Sequence, residues 1–122
     1  MDALPILIDW SSYIIAGITT TLGLVLIALG LGVIFGLPMA LGQVYGSRPV
    51  RWIVGIYVWF FRGLPILVLL FLFWFGIFPG IGLGDVPAFV VGAVVLGLRG
   101  AAYQSQIFRG AIQSISEGQM IA

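Results

Sequence analysis

The chain has 122 residues, of which 61% are hydrophobic and 7% charged, with a mean hydropathy of +1.22. A globule this small leaves much of its surface in water and could not hide so much apolar area, so the composition specifies an integral membrane protein. A net charge of +1 gives no reason to expect nucleic acid, and the lack of Cys and His excludes disulfides, thiolate or imidazole metal sites and His-dependent nucleophilic catalysis.

Residues 1–10 are short, acidic (Asp2, Asp9) and semi-polar, without the positive flank of a cleavable signal, so this start is expected to stay in the mature protein. Trp10 and Tyr13 suit the headgroup level of a bilayer. Ser11 to Ser47 carries no charge, and the pattern predicts a first membrane helix over about 14–44, tilted or bent near Pro38. Gly32 and Gly36 form a Gly-x-x-x-Gly pair that would admit a neighbouring backbone, although glycine is common in membrane helices in any case.

Ser47-Arg48-Pro49-Val50-Arg51 reads as the first loop, with Pro49 able to start the next helix. The second helix is predicted over about 50–78, interrupted around Arg62, Gly63 and Pro65. Its first part, up to Phe61, reads as an aromatic interfacial segment anchored by Trp52, Tyr57 and Trp59; the other reading is one long tilted helix with Arg62 snorkelling. Residues 78–87 are dense in Gly and Pro and make the second loop. A third helix is predicted over about 88–112, and Ser116-Glu117-Gly118-Gln119 matches a capping box that would start a fresh helix near Glu117.

The third helix is the only span with a charge near its middle. An isolated arginine there costs at least about 2.5–3.5 kcal/mol, so Arg99 should face a polar interior or a cavity. Helical spacing aligns Arg99, Tyr103, Gln106, Gly110 and Gln113 along one stripe, with Val90, Val94 and Phe108 opposite. Such a stripe fits a substrate pathway, or else hydrogen bonding between helices of a bundle. Three spans put Arg48, Arg51, Arg62, Arg109 and Glu117 on one side and Asp2, Asp9 and Asp85 on the other. The positive-inside rule makes the arginine side cytoplasmic, so the N-terminus is expected outside and residues after about 109 in the cytoplasm.

Two blocks carry a family resemblance. The segment from Ala101 to Gln119, AAYQSQIFRGAIQSISEGQ, resembles the third transmembrane helix and following loop of polar amino-acid ABC-transporter permeases, and Phe60-Phe61-Arg62-Gly63-Leu64-Pro65-Ile66-Leu67-Val68 resembles their second block. A weaker match covers Gly17, Thr20-Thr21-Leu22, Gly32, Gly36, Ala40 and Leu41. The resemblance implies an all-α, integral membrane bundle, represented over 1–122 by three transmembrane helices with further helices beyond. It implies a permease subunit of an ATP-driven importer of a polar amino acid, in the cell membrane, with no chemistry and no cofactor of its own. The implied partners are a separate ATP-binding cassette ATPase, a second permease subunit, identical or homologous, and an extracytoplasmic amino-acid-binding protein.

By the same resemblance, Arg99, Tyr103 and Gln106 border the substrate passage, and Gly118 and Gln119 match the G-Q that opens the cytoplasmic coupling loop of 116–122, which docks on the ATPase; Glu117 stands at the start of that loop but outside the motif. The chain departs from the family pattern at Arg99 and Gln106, where relatives often have a neutral polar residue and Glu, and at Ile121, which stands where they have Glu. Arg99 is expected to hold the substrate α-carboxylate unless neighbouring helices hold it permanently. The alternative function is a self-contained three-helix structural or assembly protein of the membrane.

Overall fold

The computed structural model describes residues 3–121, with side chains described over residues 3–115. The described chain is all helical: α1 (Ala3–Asp9), α2 (Ser11–Tyr45), α3 (Arg48–Gly63), α4 (Ile66–Phe71), a π-helical turn (Leu72–Ile77), α5 (Phe78–Gly80) and α6 (Ala88–Ile121). Two of these helices, α2 and α6, are long and apolar enough to cross a membrane. The α3 helix and the segment Ile66–Gly80 meet the same test only as a pair, bent by 106° at their junction.

The two long helices pack along most of their length, and the contacts are those of small residues. Gly32, Gly36 and Ala40, spaced by four, are the buried positions of α2. Opposite them α6 buries Gly97, Ala101 and Ser105, also spaced by four. A Cβ on Gly36 would stand 3.1 Å from the Ala101 carbonyl oxygen and 3.2 Å from the Ser105 nitrogen, and one on Gly97 only 2.8 Å from Leu31 Cβ. The close approach expected of Gly32 and Gly36 is therefore present, and the matching ladder on α6 completes it.

Residue numbers rise together along this seam. Gly23 lies against Phe89, Leu24 against Gly92, Gly36 against Ala101 and Gln43 against Gln106. The two helices thus run parallel, and the chain between Tyr45 and Ala88 travels back the length of α2.

That return is made by the bent pair. Leu64 precedes a proline, which disfavours the helical region, and it is extended at φ −94°, ψ 140°. Pro65 in turn has no N–H to continue the ladder, so the helix stops and restarts in a new direction. Pro38, by contrast, is carried inside an unbroken α2. The inner side of the bent pair is bulky: Val54, Val58 and Phe61 of α3, Leu69, Phe73 and Phe78 form one core with Val91, Val95 and Ala102 of α6. Phe61, Phe73 and Phe78 follow one another at centroid distances of 6.1 and 6.3 Å.

The second helix, expected to be interrupted around Arg62, Gly63 and Pro65, starts at Arg48, breaks at Leu64–Pro65 and contains a π turn. One expectation changes. The third helix does not stop near 112 for a fresh start at Glu117; α6 continues as helix to Ile121. Glu117, Gly118 and Gln119 lie on that continuation, and their side chains are outside the described residues.

Candidate functional site

The middle of α6 carries a cationic cluster on a partly exposed face. Arg99 and Tyr103 are one turn apart, so their side chains meet. An Nη of Arg99 donates to Tyr103 Oη at 3.1 Å, and its guanidinium carbon lies 4.9 Å from the Tyr103 ring centroid. From α3, Arg62 brings a second guanidinium to 5.2 Å of the same centroid. Tyr103 is therefore shared by two cations, each drawn to the negative face of an aromatic ring.

Among the described residues neither cation has an ion-pair partner. The described acidic side chains are Asp9 and Asp85, which precede the N-terminal ends of α2 and α6. The Nε of Arg99 is buried and makes no hydrogen bond. Beside Tyr103 and Arg62, an open recess of about 330 Å³ is lined further by Val58, Trp59 and Gly63. Two guanidiniums within about 10 Å of one another, sharing a neutral ring, repel each other and favour an anion between or beside them.

One turn further a second polar group forms. Gln106 Nε2 donates to Gln43 Oε1 of α2 at 2.8 Å and to Ser105 Oγ at 3.1 Å, while Arg109 donates to Gln106 Oε1 at 3.3 Å. Ser105 is fully buried and donates to the Ala102 carbonyl at 2.8 Å. Gln106 is thus turned toward α2, whereas Tyr103 is turned toward α3. Of the predicted stripe, Arg99 and Tyr103 form one cluster, while Gln106 joins Arg109, a residue outside the stripe, in another; Val91, Val95 and Ala102 form the apolar face that packs into the core.

Sequence reasoning missed three participants. Arg62 reads from sequence as a charge at a helix break, yet it reaches Tyr103. Gln43 gave no signal beyond being a polar residue near the end of an apolar helix. Tyr57, expected as an interfacial anchor, is half-buried and donates to the Leu98 carbonyl at 2.6 Å, tying α3 to α6 beside Arg99.

No family model matches the chain. It is 37% identical to YckA of Bacillus subtilis, a probable amino-acid ABC transporter permease protein, over 88% of this chain and 46% of that protein. It is 34% identical to ArtQ, an arginine transport system permease protein of the same organism, over 88% of this chain and 48% of that protein. Its fold matches a chain from the crystal structure of an amino acid ABC transporter with histidines, at a TM-score of 0.82 and 31% identity, over 93% of this chain and 52% of that one. This chain is a homologue of the amino-acid ABC transporter permeases. It spans about half the length of the curated relatives it matches. Within that span the permease homologue has the features of a multi-pass membrane protein, with its cationic cluster shared between the bent pair and the helix that follows it.

Proposed function

We propose that this chain forms part of the membrane subunit of an ATP-driven importer of a polar amino acid. It crosses the cytoplasmic membrane three times, the bent pair counting as one crossing. The parallel course of α2 and α6 supports this, since two spans running the same way side by side need a return crossing between them. The N-terminus is outside and residues after about 109 are cytoplasmic, because the loop arginines Arg48 and Arg51 fall on the side of Arg109.

The chain does no chemistry itself. A separate ATP-binding cassette ATPase hydrolyses ATP, an extracytoplasmic binding protein delivers the amino acid, and a second permease subunit completes the passage. Glu117, Gly118 and Gln119 carry the ATPase coupling contact, and an α6 that runs on as helix would transmit movement there to the Arg99 region. The relatives are transport permeases, so the alternative of a self-contained structural protein is not favoured.

The observation that carries the reading is the pair of guanidiniums on Tyr103 with no described carboxylate beside them. Arg99 holds the substrate α-carboxylate, Tyr103 orients it through the Oη contact, and Gln106 lines the next turn of the path. A guanidinium grips a carboxylate with two parallel hydrogen bonds, which a lysine cannot reproduce.

The test uses the full-length permease with its ATPase and binding protein in proteoliposomes. Arg99→Gln and Arg99→Met are expected to assemble normally and lose uptake, and Arg99→Lys to keep a small part of it. Parental uptake by Arg99→Met would remove the carboxylate role, and failure of that variant to assemble would make Arg99 structural. Reporters inserted after Gly46 and Gly82 are expected in the cytoplasm and outside respectively; a cytoplasmic reporter at Gly82 would remove the three-crossing topology.

A further inference from the structure

The exposed face of α3 carries a second group of residues, of which only Trp59 also borders the recess beside Tyr103. Arg48, Arg51, Trp52, Gly55, Ile56 and Trp59 line an open recess of about 500 Å³. Their spacing places them on one face of the helix, with Val54 and Phe61 buried on the opposite one. Trp52 and Trp59 stand two turns apart and are 68% and 77% exposed. Between them Gly55 has no atom within 4 Å of the place a Cβ would take, so the gap between the indoles is open because that residue has no side chain.

The direction of α3 fits this chemistry. It stands at 106° to Ile66–Gly80, so on the three-crossing reading above, with Ile66–Gly80 running across the bilayer, α3 would lie nearer the membrane plane than its normal. A helix in that position with arginines at one end and tryptophans along an exposed face has the character of an interfacial element. The α3 sequence holds three arginines and no acid, so the face is complementary to negative charge. Indoles sit at the headgroup level, and guanidiniums pair bidentately with phosphate.

We infer that this recess binds the headgroup of an anionic phospholipid of the cytoplasmic leaflet. Arg48 and Arg51 hold the phosphate, and the glycerol and first acyl methylenes lie over Gly55 between Trp52 and Trp59. The inference rests on the three-crossing reading above for the side of the membrane, and the reporter after Gly46 tests that side independently of any lipid measurement.

The experiment is native mass spectrometry of the full-length permease–ATPase complex released from mixed micelles containing phosphatidylglycerol or phosphatidylcholine. The complex is expected to retain phosphatidylglycerol at least fivefold more than phosphatidylcholine. Replacing both arginines (Arg48→Gln with Arg51→Gln) should abolish the preference. Gly55→Leu, which leaves the charge intact and fills the gap, should lower phosphatidylglycerol retention several-fold; it decides alone if the double variant does not assemble. Equal retention of the two lipids by the parent, or unchanged retention in Gly55→Leu, overturns the inference. So does a benzophenone side chain at position 59 that labels protein instead of lipid, because the recess would then belong to another segment or subunit.

Discussion

Where α2 meets α6, contact is made by Gly32, Gly36 and Ala40 against Gly97, Ala101 and Ser105; the arm from α3 to α5 packs instead through Phe61, Leu69, Phe73 and Phe78. Lipid tails are as apolar as leucine, so bulk hydrophobicity gives two helices little reason to associate in a bilayer. The small-residue seam overcomes this by letting backbones approach to contact distance over a long, parallel interface. The arm cannot do so because it is bent, and it fills the angle with aromatic volume. One region therefore depends on the absence of side chains and the other on their size, and the cationic cluster lies where the two meet, with Arg99 and Tyr103 on the seam helix and Arg62 on the arm.

The sharpest way to break this comparison is to add volume to the seam. Gly36→Leu places its side chain against backbone atoms of Ala101 and Ser105 that cannot swing aside. A loss of about 3 kcal/mol is expected, at the upper end for overpacking, read as a lower thermal unfolding midpoint in detergent. The same change at Gly17, where the space is open, should move stability by less than about 0.5 kcal/mol. Equal effects at the two sites would mean that the seam is not close-packed.

Next in size is the junction between the regions. Tyr103→Leu removes the ring that two guanidiniums share, with about 0.5–1 kcal/mol expected from each contact, and should reduce uptake together with stability. Tyr103→Phe keeps the ring and loses only the Oη acceptor of Arg99, so its stability should lie between the parent and Tyr103→Leu. Identical behaviour of Phe and Leu would assign the whole contact to the hydroxyl. Apart from the Gly17 control, the smallest effect is expected for Tyr57→Phe. It deletes one hydrogen bond to the Leu98 carbonyl, worth about 0.6 kcal/mol within a membrane bundle, and should be visible as faster hydrogen exchange near Leu98 and not as a loss of assembly.

These regions also differ in how well they can be read from sequence. An uncharged run from Ser11 to Ser47 leaves little choice but a membrane helix, and Gly32 with Gly36 marks its contact face. Gly97, Ala101 and Ser105 went unnoticed because the nearby polar residues of α6 carried the stronger signal. The break at Pro65 was legible from local chemistry, since a residue before proline avoids the helical region. Its angle of 106° was not, because it depends on contacts across the bend between residues distant in sequence, among them Phe61 and Phe73. For the site, Arg99 and Tyr103 follow from helical spacing on one element. Arg62 and Gln43 come from other elements, and only the tertiary packing brings them to Tyr103 and Gln106.

The π turn at Leu72–Ile77 has a consequence for the lengths this chain can tolerate. Phe73 and Phe78 are both buried in one core although five residues separate them. In an α-helix five residues advance the direction by about 140° beyond a full turn and would send Phe78 away from Phe73. The wider π turn takes up the excess and returns both rings to the same side. A variant lacking one residue between them, for example Gly76, would wind that stretch as ordinary α-helix and keep the two rings aligned. This stretch is thus a place where a deletion of one residue should be better tolerated than anywhere along the α2–α6 seam.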